Sequence, residues 1–218
     1  MRALLYGASG ELAQSVAGAF AARGWTVEGV LRGEAPAPAH MCTAHRVERR
    51  YSAFEPKALH DAYVFPQALF AREPLAEMTA DAVDDLVTVG LTEIIQCLRR
   101  VLAIPAEPDR RIDYCVIGST SAYAGFRNTS VYCAVKHGLV GLVRALNDEY
   151  AGTGRRFWLF SMGTMDTAMG RELVDQDPTS FLPPDDVAAR IVEAVTAASN
   201  LFEPEVIIRR RTIRFLER

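Results

Sequence analysis

The sequence predicts an α/β fold: a doubly wound parallel sheet with helices on both faces, three layers in a single domain over residues 1–218. Three observations point there. Short apolar runs alternate with helical stretches along the whole chain, the pattern of a parallel sheet with crossover helices. The first run ends in a glycine turn that opens directly into a helix. And 218 residues, half of them hydrophobic, with no internal repeat or linker, make one domain with ample material for a core.

Bulk properties exclude several classes of partner. Net charge is −3, with 24 Lys+Arg against 27 Asp+Glu, so bulk electrostatics select neither nucleic acid nor membrane. No apolar run approaches the roughly 20 residues of a membrane span. The N-terminus enters a strand-like segment at once, with neither the apolar h-region nor the cleavage site of a secretory signal. Cys42, Cys97, Cys115 and Cys133 are scattered, which fits reduced, buried thiols in a cytoplasmic protein.

Residues 3–6 form the first strand and run into GASGELA, followed by the helical stretch LAQSVAGAFAARG. Gly7 and Gly10 permit a tight turn and close approach of a pyrophosphate to backbone N–H groups at the helix N-terminus, and Ala13 still lets helix pack on strand. Glu11 is awkward, because a carboxylate repels a pyrophosphate unless it points to solvent or caps the helix. Residues 25–31 are the second strand, which runs out into Leu31-Arg32-Gly33 with no carboxylate before Glu34. An acidic residue at that strand's end suits the free ribose of NAD, whereas an Arg accommodates a 2′-phosphate, so Arg32 favours NADP(H), with NAD(H) as the alternative.

Residues 33–45 are a Pro/Ala loop. His40, Cys42 and His45 within it match no zinc module, and no second ligand cluster joins them, so no metal site is expected. A short third strand is expected at 46–50, a turn or two of helix at most between 51 and 61, and a fourth strand at 62–65. The helical pattern at 79–104 is capped by Thr79 and Asp81, ends before Pro105 and is apolar on more than one stripe, so it is expected to be buried on two sides. A fifth strand is expected at 110–118, a helix at 130–151 starting at a Ser cap, a sixth strand at 157–160, an amphipathic helix at 185–199 and a seventh strand at 205–208. The tail RRRTIRFLER reads as a solvated edge that discourages pairing. With no aromatic interleaving it is not expected to bind nucleic acid.

The chemistry concentrates in 119–136, STSAYAGFRNTSVYCAVK. Tyr132 and Lys136 are four apart and so share a helix face. An ammonium there favours the phenolate, and is expected to bring the tyrosine down from its usual ~10. Ser119 follows the apolar run of the fifth strand, whose carboxyl end delivers the hydroxyl to the edge where ligands of open α/β sheets bind. A hydroxyl, an acidified phenol and a lysine converging on one point suit proton transfer between a carbonyl and an alcohol.

With these pieces in this order, the sequence resembles the short-chain dehydrogenase/reductase family over nearly its whole length. The residues that carry the resemblance are GASGELA, Ser119 after a strand, Tyr132-x-x-x-Lys136, and the stretch Met162 to Met169 (MGTMDTAM). The resemblance implies a Rossmann-type domain. Tyr132 would be the general acid in reduction and the base in oxidation. Lys136 would lower the Tyr pKa and bind the nicotinamide ribose, and Ser119 would hold and polarise the substrate oxygen. Gly7, Ser9, Gly10 and Leu12 would line the pyrophosphate turn, while Gly163, Thr164, Met165 and Thr167 would contact nicotinamide and phosphates. It also implies a homodimer or homotetramer paired through the helices at 79–104 and 130–151.

The sequence departs from the family pattern at several places. The family's catalytic Asn in the long helix falls at Gly90, the Asn-Ala-Gly segment after the fourth strand reads Phe65-Pro66-Gln67-Ala68, and Met162 replaces the Pro of a Pro-Gly motif. The usual Asp after the third strand is missing, the helix before the fourth strand is truncated, and Glu11 stands where a glycine or apolar residue is usual. Two functions are therefore carried forward. One is an NAD(P)(H)-dependent oxidoreductase acting on a small or medium carbonyl or alcohol. The other is a dinucleotide-binding sensor or assembly protein with little or no turnover. The loop at 169–182, which shapes the substrate pocket in this architecture, is short and mixed. It suggests an open cleft or a lid donated by another protein.

Overall fold

The computed structural model describes residues 1–198 and 201–215. Seven strands, β1 (Arg2–Tyr6), β2 (Thr26–Arg32), β3 (Thr43–Val47), β4 (Ala62–Phe65), β5 (Ile112–Ile117), β6 (Arg155–Met162) and β7 (Glu205–Ile208), form one sheet. Their order is β3-β2-β1-β4-β5-β6-β7 and every pairing is parallel. The helices are α1 (Glu11–Ala21), α2 (Ala80–Val87), α3 (Glu93–Leu102), α4 (Ser130–Glu149), the single turn α5 (Ala168–Arg171) and α6 (Pro184–Thr196). No helix among the described residues is long and apolar enough to cross a membrane.

Period-two alternation within the strands builds the two cores. Ala3 and Leu5 of β1, Cys115 and Ile117 of β5, and Trp158 and Phe160 of β6 face α1 and α6. Leu4, Tyr6, Tyr114, Val116, Phe157 and Leu159 face α3 and α4. On that second face Tyr63, Tyr114 and Phe157 are register partners on β4, β5 and β6. Their rings stack with centroids 5.3 and 4.7 Å apart, a cross-strand aromatic ladder.

Several boundaries differ from the sequence reading. The third strand lies at Thr43–Val47 rather than 46–50, because its pairing runs from Glu28↔Thr43 to Arg32↔Val47, which puts His45 beside Glu28. The helix expected at 79–104 is broken in the middle by a π-helical turn at Thr88–Thr92, where buried Gly90 backs onto Val135 of α4. Its N-cap is Thr79, as expected, accepting from Ala82 N at 3.1 Å. α4 starts one residue beyond Thr129 and ends at Glu149, and β6 is twice the expected length. Of the cysteines, Cys97, Cys115 and Cys133 are buried, but Cys42 is exposed, a correction that follows from its place at the edge strand. The expected end of the last helix at Ser199 and the last three residues of the tail lie outside the described residues.

Candidate active site

The carboxyl ends of β1, β4, β5, β6 and β7 open into one cleft of about 790 Å³. Each strand delivers a different part of it, as expected at the topological switch point of an open sheet. β1 supplies Gly7, β4 Pro66 and Ala68, β5 Ile117 to Ser121, β6 Met162 to Met165, and β7 Arg209 and Arg210. Ser119, Tyr132 and Lys136 all line this cleft, so the three residues thirteen and four apart in sequence do converge.

Lys136 is fully buried, and its ammonium donates to Ile117 O at 3.1 Å, at the end of β5. Burial lowers its pKa to about 8. Nζ sits 5.7 Å from the centroid of the Tyr132 ring, reaching across its face. Tyr132 is also packed edge-on by Phe70, with centroids 5.0 Å apart. Burial raises the phenol's pKa above its ordinary 10, and a hydrogen bond with Ser119 pulls the other way. The expectation that the lysine brings the phenol down is therefore corrected: burial outweighs the Ser119 hydrogen bond, and the ammonium is directed to the Ile117 carbonyl instead. Ser119 accepts from Ser121 N at 3.1 Å, so its own hydroxyl proton remains available to a second partner.

At the glycine turn, Gly7 has φ +64°, which an L side chain rarely adopts, and Gly7, Gly10 and Leu12 line the cleft. Ser9 does not line it; its carbonyl accepts from Gln14 Nε2 at 2.8 Å. The N-terminus of α1 receives no side-chain cap. Glu11 does act as a cap, but for another helix: its Oε2 accepts from Ala168 N at 2.7 Å, clasping the glycine turn to the first residue of α5 across the cleft. Gly163, Thr164, Met165 and Thr167 line the opposite wall, with Gly163 N bonded to Ile208 O at 2.9 Å and Thr167 Oγ1 accepting from Gly170 N at 3.1 Å.

Arg32 lies outside the cleft lining, exposed at the end of β2, its guanidinium 5.8 Å from the centroid of the Tyr51 ring. That ring also abuts Gly7: a Cβ built there would lie 3.7 Å from Tyr51 Cζ. Gly90 is absent from the lining altogether, and a Cβ there would come within 2.7 Å of Val135 Cγ1. His40, Cys42 and His45 do not converge. His40 lies against Gly18, the Cys42 thiol donates to Val27 O, and His45 pairs with Glu28. No three potential ligands gather as a metal site among the described residues.

The roof of the cleft is the feature the sequence reading missed. Residues 169–182 are not left open. Arg72 pairs with Asp175 at 2.8 Å, Asp177 N bonds to Arg214 O at 2.9 Å, and Gln176 pairs with Phe215 in a β-bridge. The chain's own tail thus ties the loop down, which corrects the expectation of an open cleft or a lid from another protein. The tail is equally not a mere solvated edge, since Arg209, Arg210, Ile213 and Phe215 line the cavity. The available signal was Ile213 and Phe215 interrupting the arginine run, apolar side chains with no role on a solvated edge.

Comparison with known proteins places the chain. A family model described as enoyl-(acyl carrier protein) reductase matches residues 58–194, well over half of it. A sepiapterin reductase of Chlorobaculum tepidum is 30% identical over 93 residues, 43% of this chain. That match spans only 38% of the relative's own length. A short-chain dehydrogenase/reductase of Vibrio parahaemolyticus superposes with a TM-score of 0.81 at 20% identity, covering 96% of this chain and 100% of that one. An alcohol dehydrogenase of Thermococcus sibiricus, solved with 5-hydroxy-NADP, gives 0.80 at 16% identity and 96% of both chains. These structures share the fold, and with the family match they carry the conclusion: the chain belongs to the short-chain dehydrogenase/reductase family.

Proposed function

We propose that the protein is an NAD(P)(H)-dependent oxidoreductase that reduces a carbonyl, or oxidises an alcohol, of a small or medium substrate. The observation that carries this reading is the convergence of Ser119, Tyr132 and Lys136 on one wall of the cleft. A dinucleotide fits what is present: Gly7 in the left-handed region, an α1 N-terminus whose N–H groups no side chain has claimed, and a fully buried lysine with a single hydrogen-bond acceptor. The fold shared with the Thermococcus sibiricus enzyme, which holds 5-hydroxy-NADP, supports the same class of cofactor. NADP(H) is preferred because Arg32 stands over Tyr51, whose ring borders Gly7, and so lies beside the glycine turn.

The dinucleotide, when bound, supplies or accepts the hydride. In the reductive direction Tyr132, a phenol held above its ordinary pKa and so protonated at neutral pH, gives its proton to the carbonyl oxygen. The Ser119 hydroxyl donates a hydrogen bond to the same oxygen, favouring the charge that develops on it. Lys136 supplies a positive charge behind the phenol and steadies the phenolate left after transfer. Oxidation runs the same steps backwards.

The test is calorimetric titration with NADPH and with NADH, followed by NADPH consumption across a panel of carbonyl compounds. Tyr132→Phe should bind the dinucleotide like the wild type and lose about 10²–10⁴-fold in kcat. A variant that keeps the wild-type rate would sink the mechanism. The second reading, a dinucleotide-binding sensor with little turnover, is favoured by one observation: Val135 occupies the space that a side chain at Gly90 would need. Tight dinucleotide binding with no consumption across the panel would select it. In either case we propose assembly as a homodimer or homotetramer through α2, α3 and α4, whose surface leaves Val87 and Ile95 exposed; light scattering reads the outcome.

A further inference from the structure

The lining of the cleft carries positive charge that no carboxylate among the described residues neutralises, two of its arginines directly after β7. Five cationic side chains line the cavity. Lys136 is spent on Ile117 O, and Arg72 on Asp175. Arg127, Arg209 and Arg210 have no carboxylate within ion-pair distance among the described residues, and the remaining acid of the lining, Glu11, is engaged at Ala168 N on the far side. Arg210 is the telling one. It is half-buried, its guanidinium stacked on Phe181 at 5.5 Å from the ring centroid, with only a long 3.4 Å contact to Ser180 Oγ. Burial lowers its pKa. A cation taken partly out of water without a counter-ion costs free energy that a bound anion would recover.

Arg210 lies against Gly163, its Nε 3.9 Å from where a Cβ on that glycine would sit, and so on the β6–β7 side of the cleft rather than at the glycine turn after β1. From β1 to β7 the sheet steps through β4, β5 and β6, four spacings or about 19 Å. From β5, which ends at Ser119, to β7 the distance is two spacings, about 10 Å, within the span of a small substrate reaching outward from the reacting carbon. Phe126, Ile213 and Phe215, all well exposed, stand around the same mouth and offer apolar contact. We infer that Arg210, Arg209 and Arg127 form an anion subsite, and that the substrate is a carbonyl or alcohol compound bearing a carboxylate or phosphate group on an apolar body.

The substrate assignment rests on the carbonyl–alcohol reading of the site; the anion subsite does not require turnover. Three aldehydes of one skeleton separate the two: benzaldehyde, 4-carboxybenzaldehyde and 4-formylphenyl phosphate. Their binding is measured by calorimetry on the full chain with saturating NADP, and NADPH consumption is followed separately. At least one anionic aldehyde should bind about tenfold or more tighter than benzaldehyde, the scale of one charge-assisted hydrogen bond. The stronger of the two anions names the group. Rising ionic strength should narrow the preference, and Arg210→Met should abolish most of it. Arg209→Met and Arg127→Met, at exposed positions that do not threaten folding, should each reduce it, while Arg23→Met, at an exposed position just beyond α1 and outside the cleft, should leave it intact. Equal binding of the three aldehydes, including no binding of any, overturns the subsite, as does a preference that survives the three cleft substitutions. Charge-selective binding without NADPH consumption would leave the subsite standing and remove the enzymatic reading alone.

Discussion

At the scale of single residues, the site turns on a buried lysine and a partly buried phenol whose environments push their pKa values apart. Burial brings Lys136 down to about 8 and lifts Tyr132 above 10. In the free protein the ammonium is therefore present below about pH 8 and is lost above it, while the phenol stays protonated throughout. If Lys136 helps to hold the dinucleotide, binding must follow that titration. NADPH affinity, read by fluorescence, is expected to be flat through neutrality and to weaken as the pH rises through about 8. In Lys136→Met it is expected to be weaker at neutral pH and to show no inflection there; an inflection that persists would assign it to another group. The spacing Tyr132-x-x-x-Lys136 revealed that the two share a helix face, but not which way their pKa values move. Spacing carries no information about the wall of Phe70 or the carbonyl of Ile117, which come from other elements.

Between elements, two contacts account for two of the departures from the family pattern, Gly90 and Glu11. The first is the seam between the π turn and α4. Val135 precedes Lys136, and its side chain fills the place where a Cβ on Gly90 would sit 2.7 Å away. Gly90→Asn alone should therefore destabilise the fold, by about 1–3 kcal/mol for overpacking, as read from the urea midpoint. Gly90→Asn with Val135→Ala should recover most of that loss, because the second change vacates the contested space. If the single variant is as stable as the wild type, the seam is looser than its geometry implies. The second contact is the clasp of Glu11 on Ala168 N. A carboxylate beside the glycine turn opposes a diphosphate electrostatically and also holds α5 against the cleft. Glu11→Gln removes the charge and keeps an acceptor, so it should tighten NADPH binding most at low ionic strength; unchanged affinity at every salt concentration would show the carboxylate turned away from the ligand. The sequence exposed Glu11 as discordant because the turn around it is so strongly patterned. It could not reveal the partner, 157 residues away and a backbone group rather than a side chain.

For the molecule as a whole, the parallel sheet, its winding and the position of the cleft were legible from alternation and the glycine turn, because each strand–helix unit writes its own local pattern. What stayed hidden was long-range: the register that moves the third strand to Thr43–Val47, and the tail that closes the roof. Both depend on pairings between separate segments, which a local pattern does not record. The register has a consequence for stability, since it gathers a polar node where β1, β2 and β3 meet. Glu28 on β2 meets Arg2 of β1, His45 of β3 at 2.9 Å and His60, just before β4, at 3.1 Å. Burial alone would raise the carboxyl, but the hydrogen bonds from His45 and Arg2, with the His60 ring alongside, prevail and hold it at about 2 against an ordinary 4.5. A depressed carboxylate contributes stability that is fully present above its unfolded value and is lost as the pH falls towards its folded one, here from about 4.5 to about 2. Burial lowers His60 in spite of Glu28, so His60 takes up a proton on unfolding and adds its own loss of stability as the pH drops below 6.5. The two effects share a sign. The urea midpoint should fall in two stages on acidification, beginning near pH 6.5 and steepening below about 4.5. Glu28→Gln should lower the midpoint at neutral pH and flatten the second stage. A variant with the wild-type midpoint at neutral pH would mean that the node merely offsets its own burial, and that this side of the sheet is held by its apolar faces alone.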